Sequence, residues 1–177
     1  LRAFVARLPG GAAVLDLGCG SGVPVARELV AAGCAVTGVD VSKEQVRRAR
    51  AQVPQGDFRV GEMTAVDLPA GAFDAVISLY AIDHVPRELH GEVFRRVRHW
   101  LRPGGLALVA VEDDDQPGVV ANWLGAPMFF SVHPAAVERR LAEEAGLEVV
   151  EAEVEAQREQ GRDVRYTWLL LRRPPEA

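Results

Sequence analysis

The chain has only two cysteines, Cys19 and Cys34, among its 177 residues. That is too few to staple a small secreted scaffold, and neither stands in a paired-cysteine or Cys/His spacing that suggests zinc, so no metal and a reducing, cytoplasmic setting are expected. Long Lys/Arg clusters are also missing, and the formal net charge is −5. Without an electrostatic footprint for a phosphate backbone, nucleic acid is not an expected partner. No apolar stretch approaches the ~20 residues of a membrane-spanning helix and no signal-peptide pattern opens the chain, which excludes a membrane from the expected partners. Repeats and low-complexity tracts are absent as well. What is there is ordinary globular composition, 49% apolar and 25% charged, over 177 residues read as a single domain. The chain opens at Leu1 inside what reads as a helix from Leu1 to Leu8, so a further N-terminal segment is expected ahead of it.

Apolar runs suited to buried strands alternate with amphipathic stretches, the pattern of an α/β fold. Strand Ala13 to Leu17 leads through a glycine turn into a helix from about Pro24 to Ala32, where Val25/Leu29 and Ala26/Val30 are four apart. A second strand, Ala35 to Val39, stops at Asp40, and Ser42 with Gln45 has the form of a capping box opening a helix with a charged, solvated face. Strands follow at Phe58 to Val60, Phe73 to Leu79 and Leu106 to Val111. Between the last two, Leu89, Val93, Val97 and Leu101 predict a helix from about Pro86 that Arg102-Pro103-Gly104-Gly105 terminates. Another helix, about Pro134 to Ala145, carries Val137 and Leu141 inward. Strict alternation of Val150, Ala152, Val154 and Ala156 with Glu151, Glu153 and Glu155 predicts a strand with one wet face, paired antiparallel with Val164 to Leu171 across the Gln160-Gly161 turn.

The segment most informative about chemistry is Val14-Leu15-Asp16-Leu17-Gly18-Cys19-Gly20-Ser21-Gly22. Gly18 and Gly20 can take backbone angles closed to other residues and let a ligand approach the main chain, and unpaired N–H groups at the helix start are expected to face it. Alone, a tight strand-to-helix connection would give the same glycines. Asp16 adds a carboxylate at the end of a buried strand, costly without a partner and placed to meet the ammonium of an amino acid. Asp40, about 20 residues beyond the turn, is placed to accept from both ribose hydroxyls. A nucleoside at one end and an amino acid at the other describe S-adenosylmethionine.

On these residues the sequence resembles the class I S-adenosylmethionine-dependent methyltransferases over nearly its whole length. Val14 to Gly22 resembles the first motif, Gly38-Val39-Asp40 the acidic second, Gly61-Glu62-Met63 the segment that receives the adenine, Phe73 to Ser78 the fourth-strand motif and Trp100 to Gly105 the turn before the fifth strand. The resemblance implies a Rossmann-like, doubly wound sheet of seven strands in the order 3-2-1-4-5-7-6 with strand 7 antiparallel. It implies cofactor contacts from Asp16, Gly18, Cys19, Gly20, Asp40, Val41, Glu62, Met63 and Ser78.

The sulfonium methyl is already activated, so the protein mainly has to hold a nucleophile in line and exclude water. Tyr80, Asp83 and His84 follow the fourth strand at the ligand-binding edge and are the catalytic candidates, with packing or helix capping the competing reading for His84. Trp123, Met128 and Phe129 lie in an unusually apolar connection and are expected either to wall an acceptor pocket or to pack in the core. The run Val111 to Asp115 could attract a cationic acceptor or a divalent ion, or form a solvated loop. An Asn/Asp-Pro-Pro-Tyr/Phe run is missing after the fourth strand, where Ser78-Leu79-Tyr80-Ala81 stands. With the acidic charge, that favours a small-molecule acceptor of the bacterial type, its N, O or C atom open and the oligomeric state unknown. The alternatives are a nicotinamide-dependent oxidoreductase and a non-catalytic cofactor-binding module of the same fold.

Overall fold

The computed structural model describes residues 1–123, 125–159 and 161–176; the side chains of Trp123 and Arg162 also lie outside the described set. Parallel strands of continuous apolar sequence need cover on both faces, and β1 (Ala13–Leu17) shows how it is supplied. Val14 points into one core with Ala26 and Leu29, while Leu15 and Leu17 point into the other with Val93, Val97 and Trp100. Around β1 lie β2 (Ala35–Asp40), β3 (Asp57–Val60), β4 (Phe73–Leu79) and β5 (Leu101–Glu112), all parallel. Helices α1 (Arg2–Val5), α2 (Val25–Ala31) and α3 (Lys43–Gln52) belong to the first face, and α4 (His90–Trp100) and α5 (Ala135–Glu144) to the second. A terminal hairpin of β8 (Glu148–Glu159) and β9 (Arg162–Arg172) joins β5 through β9, antiparallel.

A separate antiparallel ribbon, β6 (Gln116–Trp123) and β7 (Ala126–Val132), is inserted between β5 and α5. The main sheet runs β3-β2-β1-β4-β5-β9-β8. With the ribbon set aside, that is the expected 3-2-1-4-5-7-6 order and the expected antiparallel last strand. Among the described residues no helix is long and apolar enough to cross a membrane.

Local structure departs from expectation in instructive places. The apolar connection holding Trp123, Met128 and Phe129 is the β6–β7 ribbon; Pro117 and Pro127 hide its strand character, yet a two-stranded ribbon tolerates proline on its edges. Helix α4 starts at His90, after a 3₁₀ turn over Arg87–Leu89, and Leu101 already belongs to β5. Val93 and Val97 of α4 are buried, while Leu89, in the turn before the helix, is 41% exposed. Arg102 to Gly105 opens β5 with a register shift against β4 rather than capping the helix. Only Arg2–Val5 of the opening segment is α-helical. Beyond Val150, β8 is exposed on both faces up to Ala156 rather than on one. Val137 and Leu141 are half-buried, and the fully buried positions of α5 are Ala142 and, against all hydropathy, Glu138.

The acidic run after β5 is a joint. Asp113 accepts the N–H of Ala135, the first residue of α5 (2.8 Å), and pairs with Arg165 (2.8 Å). Ser42 caps α3 as expected by accepting from Gln45 N (3.3 Å), but the reciprocal half of the box is not made, since Ser42 N donates to Asp40 Oδ1 instead (2.8 Å).

Candidate active site

At the carboxyl end of β1 the chain turns on Gly18, whose φ is 73°. A Cβ there would lie 2.2 Å from the Cβ of Ala81, just beyond β4, so the turn and that segment touch in a way only glycine permits. Gly20 (φ 51°) faces open space, with nothing within 4 Å of an added Cβ. The turn's amides, by contrast, are used internally. Gly18 N and Cys19 N both donate to Val39 O (2.7 and 3.1 Å), Gly20 N donates to Asp40 Oδ2 (2.9 Å), and Gly22 N donates to Cys19 O (2.9 Å). The expectation that unpaired N–H groups face the ligand is therefore corrected for these four: the turn offers close approach, and Asp40 holds its shape. Each Asp40 oxygen keeps acceptor capacity beyond its one backbone bond, enough for a pair of hydroxyls.

This edge opens on a cavity of about 840 Å³. Gly18, Gly20, Asp40, Val41, Glu62 and Met63 line it, together with Gln45, expected from the sequence only as half of a capping box. Gln45 Oε1 is buried without a hydrogen-bond partner. Asp16 sits just behind, 3% exposed, with Oδ2 likewise unpartnered. Burial, and then the charge of Asp40, push the Asp16 carboxyl up to about 7. An unpaired buried carboxylate behind a glycine cradle fits a ligand carrying an ammonium group, and Asp40 with Glu62 fits the hydroxyls and amino group of a nucleoside. Two expected contacts lie elsewhere: Cys19 Sγ is buried beside Gly38, and Ser78 Oγ donates to Leu17 O (3.0 Å), tying β4 to β1.

The far wall of this cavity is made by Tyr80, Ala81, His84 and Met128, and behind Tyr80 and His84 lies a second cavity of about 260 Å³. Tyr80 has φ 57°, the one positive value off glycine among the described residues, a conformation costing a side-chain-bearing residue roughly 1–2 kcal/mol. It is held there by donation of its N–H to Ala110 O (2.9 Å) and by edge-on contacts with Tyr166 and Trp168, at 4.6 and 5.8 Å between centroids. Burial raises its phenol pKa, which makes it a wall rather than a base. Asp83 lines the second cavity and accepts Glu112 N on Oδ1 (3.0 Å). Its burial outweighs that hydrogen bond, and its carboxyl is pushed up to about 7.

His84 borders both cavities. Its Nδ1 lies 2.8 Å from Phe129 O; a carbonyl only accepts, so Nδ1 carries the hydrogen and the neutral ring keeps Nε2 as its basic nitrogen. Phe129 thus serves through its backbone, its ring lying against Gly118, while the neighbouring Phe130 faces the second cavity and meets the His84 ring at 5.0 Å. The Trp123 side chain lies outside the described residues. Behind the loop, Ser131 Oγ accepts Arg87 N (2.9 Å), and a fully buried pair, His90 Nδ1 and Glu138 Oε1 at 2.5 Å, anchors Val85 O through His90 Nε2 (3.1 Å). Among the described residues no group of three His, Cys, Asp or Glu side chains is arranged to hold a metal ion.

Comparison with known proteins agrees with this geometry. A methyltransferase domain family matches residues 14–105. The chain is 35% identical over 104 residues to the 27-O-demethylrifamycin SV methyltransferase of Amycolatopsis mediterranei, covering 55% of this chain and 38% of that one. It is 34% identical over 105 residues to the ubiquinone biosynthesis O-methyltransferase of Caulobacter vibrioides, covering 56% and 40%. The chain thus matches about two-fifths of the length of these relatives. A solved S-adenosylmethionine-dependent methyltransferase from Methanosarcina mazei shares the fold with a TM-score of 0.87 at 18% identity, over 99% of both chains. The oxidoreductase alternative called for a sixth parallel strand, and β9 is antiparallel. The matching family spans residues 14–105, more than half of the chain, and on that match the chain belongs to the class I S-adenosylmethionine-dependent methyltransferase family.

Proposed function

We propose that this domain transfers the methyl group of S-adenosylmethionine to a small molecule held in the second cavity. The observation that carries the reading is the shared wall: the cofactor cavity and its smaller neighbour meet at Tyr80 and His84. When bound, the cofactor supplies an activated methyl and leaves as its demethylated form. Asp16 holds the amino acid end, Asp40 the ribose, and Glu62 with the backbone at Met63 the adenine. His84, its Nδ1–H anchored on Phe129 O, presents Nε2 to take a proton from an acceptor that must lose one, a contribution of ~10²–10⁴-fold. Tyr80 and Met128 wall the cofactor cavity, and Asp83 faces the acceptor. The acidic charge and the two free cysteines suit a cytoplasmic metabolite enzyme without a nucleic acid partner.

Calorimetric titration with S-adenosylmethionine, its demethylated product and NAD tests the cofactor half. Micromolar binding of the first two, silence from NAD and loss in Asp40→Ala are expected, the variant's fold being checked by its urea midpoint. NAD binding alone would overturn the reading. For the base, His84→Gln should lower turnover of any acceptor found in a screen by ~10²–10⁴-fold; unchanged turnover would remove His84 from that role.

A further inference from the structure

The turn that carries Glu62 and Met63 follows β3 and is held from two sides. Gly61 N donates to Asp40 O (3.0 Å), and Ala65 N and Val66 N both donate to Glu62 O (3.0 and 2.8 Å). Two further carbonyls are taken by α4: Arg96 donates from Nε to Met63 O (3.1 Å) and from Nη2 to Val66 O. Nε–H and Nη2–H lie along one edge of the planar guanidinium, so a single side chain grips two points of the turn. The guanidinium is itself seated over the ring of Trp100, 5.1 Å from its centroid, and Trp100 is 1% exposed. Other arginines of α4 are used differently, Arg95 pairing with Glu92 at the surface (2.9 Å) and Arg98 meeting Gly146 O (3.3 Å). An arginine between a helix and a loop is commonly a staple of the fold alone, but this one closes on a turn whose Glu62 and Met63 line the cofactor cavity.

We propose that Arg96 is the positioning residue for recognition of the adenine base. The inference rests on the assignment of the adenine to Glu62 and the backbone at Met63 in the preceding section. Each peptide unit is planar, so engaging its carbonyl also sets the direction of its N–H. Glu62 O, bonded within the turn, sets the unit that contains the Met63 N–H, and Met63 O, bonded to Arg96, sets the unit that follows. Both planes beside Met63 are therefore fixed before a ligand arrives, and none of that ordering is left to the binding step. Arg96 acts from behind the cavity lining through charge-assisted hydrogen bonds, roughly twice as strong as neutral ones. Lysine is no substitute, because one ammonium on a flexible stem reaches one carbonyl and leaves the other. Glu62 and Met63 touch the base, and Arg96 decides how sharply they read it.

S-Adenosylhomocysteine, the demethylated cofactor, and its inosine analogue test this, because the analogue differs only at the base, where a carbonyl replaces the amino donor and the adjacent ring nitrogen carries a hydrogen. Both are titrated calorimetrically into the parent protein, Arg96→Met, Arg96→Lys and, as a control for lost charge, Arg95→Met, with urea midpoints measured alongside. The parent should prefer the adenine form by ~100-fold, since a site built on hydrogen bonds to one base rejects another that cannot make them. Arg96→Met should cut that preference about ten-fold by weakening the adenine form, while the analogue stays within about three-fold of its affinity for the parent. Arg96→Lys should fall between, and Arg95→Met should match the parent. An undiminished preference in both Arg96 variants, or one lost equally in Arg95→Met, overturns the proposal. So does an equal loss of affinity for the two ligands, the mark of a merely structural joint. If the parent binds both bases alike, Glu62 and Met63 do not read adenine and the proposal falls with them, while the cofactor reading stands. If neither ligand binds, both fall together.

Discussion

The buried pair of His90 and Glu138 allows a sharp test of how this protein is held together. Both side chains are 0% exposed and meet at 2.5 Å. His90 Nε2 lies 3.1 Å from Val85 O, a carbonyl that can only accept, so that nitrogen bears a hydrogen. The short contact on Nδ1 is then an imidazolium against a carboxylate. Burial works against the charged ring, but the hydrogen bond to Glu138 and its charge prevail, and the His90 pKa is raised; Asp83 adds to this, and the His133 ring stands edge-on at 5.7 Å. Removing one partner leaves the other buried and uncompensated, which costs about 3–5 kcal/mol, whereas replacing both with apolar groups of similar volume is often neutral. Glu138→Ala should therefore lower stability by about 3–5 kcal/mol. At a urea slope of ~2 kcal/mol/M this moves the midpoint down by roughly 2 M, while His90→Phe/Glu138→Leu should stay within about 1 kcal/mol of the parent. The pH dependence has a fixed sign. A His pKa raised on folding gives stability that is fully present below about 6.5, the unfolded value, and lost as pH rises through the folded value; Glu138→Ala should abolish that slope. Urea titrations of the three proteins from pH 5 to 9 decide it. A single substitution costing under 1 kcal/mol, or a double variant as unstable as the single one, would refute the ion-pair account.

The cofactor site and the joint between β5 and α5 can be tested as well. Asp16→Asn should stabilise the cofactor-free protein above pH 7 and abolish S-adenosylmethionine binding. A carboxyl raised to about 7 destabilises the folded state as pH climbs from about 4 to 7, so the gain should vanish near pH 4, as urea midpoints and calorimetry would show. Gly18→Ala should fail to form the cofactor site, because its Cβ would sit 2.2 Å from that of Ala81 at φ 73°; near-normal cofactor affinity in a folded variant would contradict the contact. Asp113→Ala should cost about 1–2 kcal/mol by uncapping α5 at Ala135 and releasing Arg165, and its read-out is thermal unfolding.

The strands, their parallel pairing and the glycine turn were legible because each is written in short-range terms: continuous apolar runs, period-two and near-3.6 spacing, and Val14 to Gly22 running from strand into turn. Asp40 was legible through its fixed distance from that turn, and Asp16 through the cost of a carboxylate on a buried strand. Even there the sequence did not reveal that the turn's own N–H groups would be bound by Val39 and Asp40, since that depends on how closely β2 is drawn alongside β1. Nothing in the sequence around Glu138 marks it as buried; its partner, 48 positions away, puts it in the core. The same holds for His84, whose tautomer is set by a carbonyl 45 residues on, and for Gln45 and Phe130, whose types and spacing carry no signature of a site. Local pattern determined which elements form and where the cofactor turn lies. The second cavity, the strained Tyr80 and the buried ion pair were decided by tertiary structure alone, because each exists only where strands and helices distant in sequence are packed against one another and water is shut out between them.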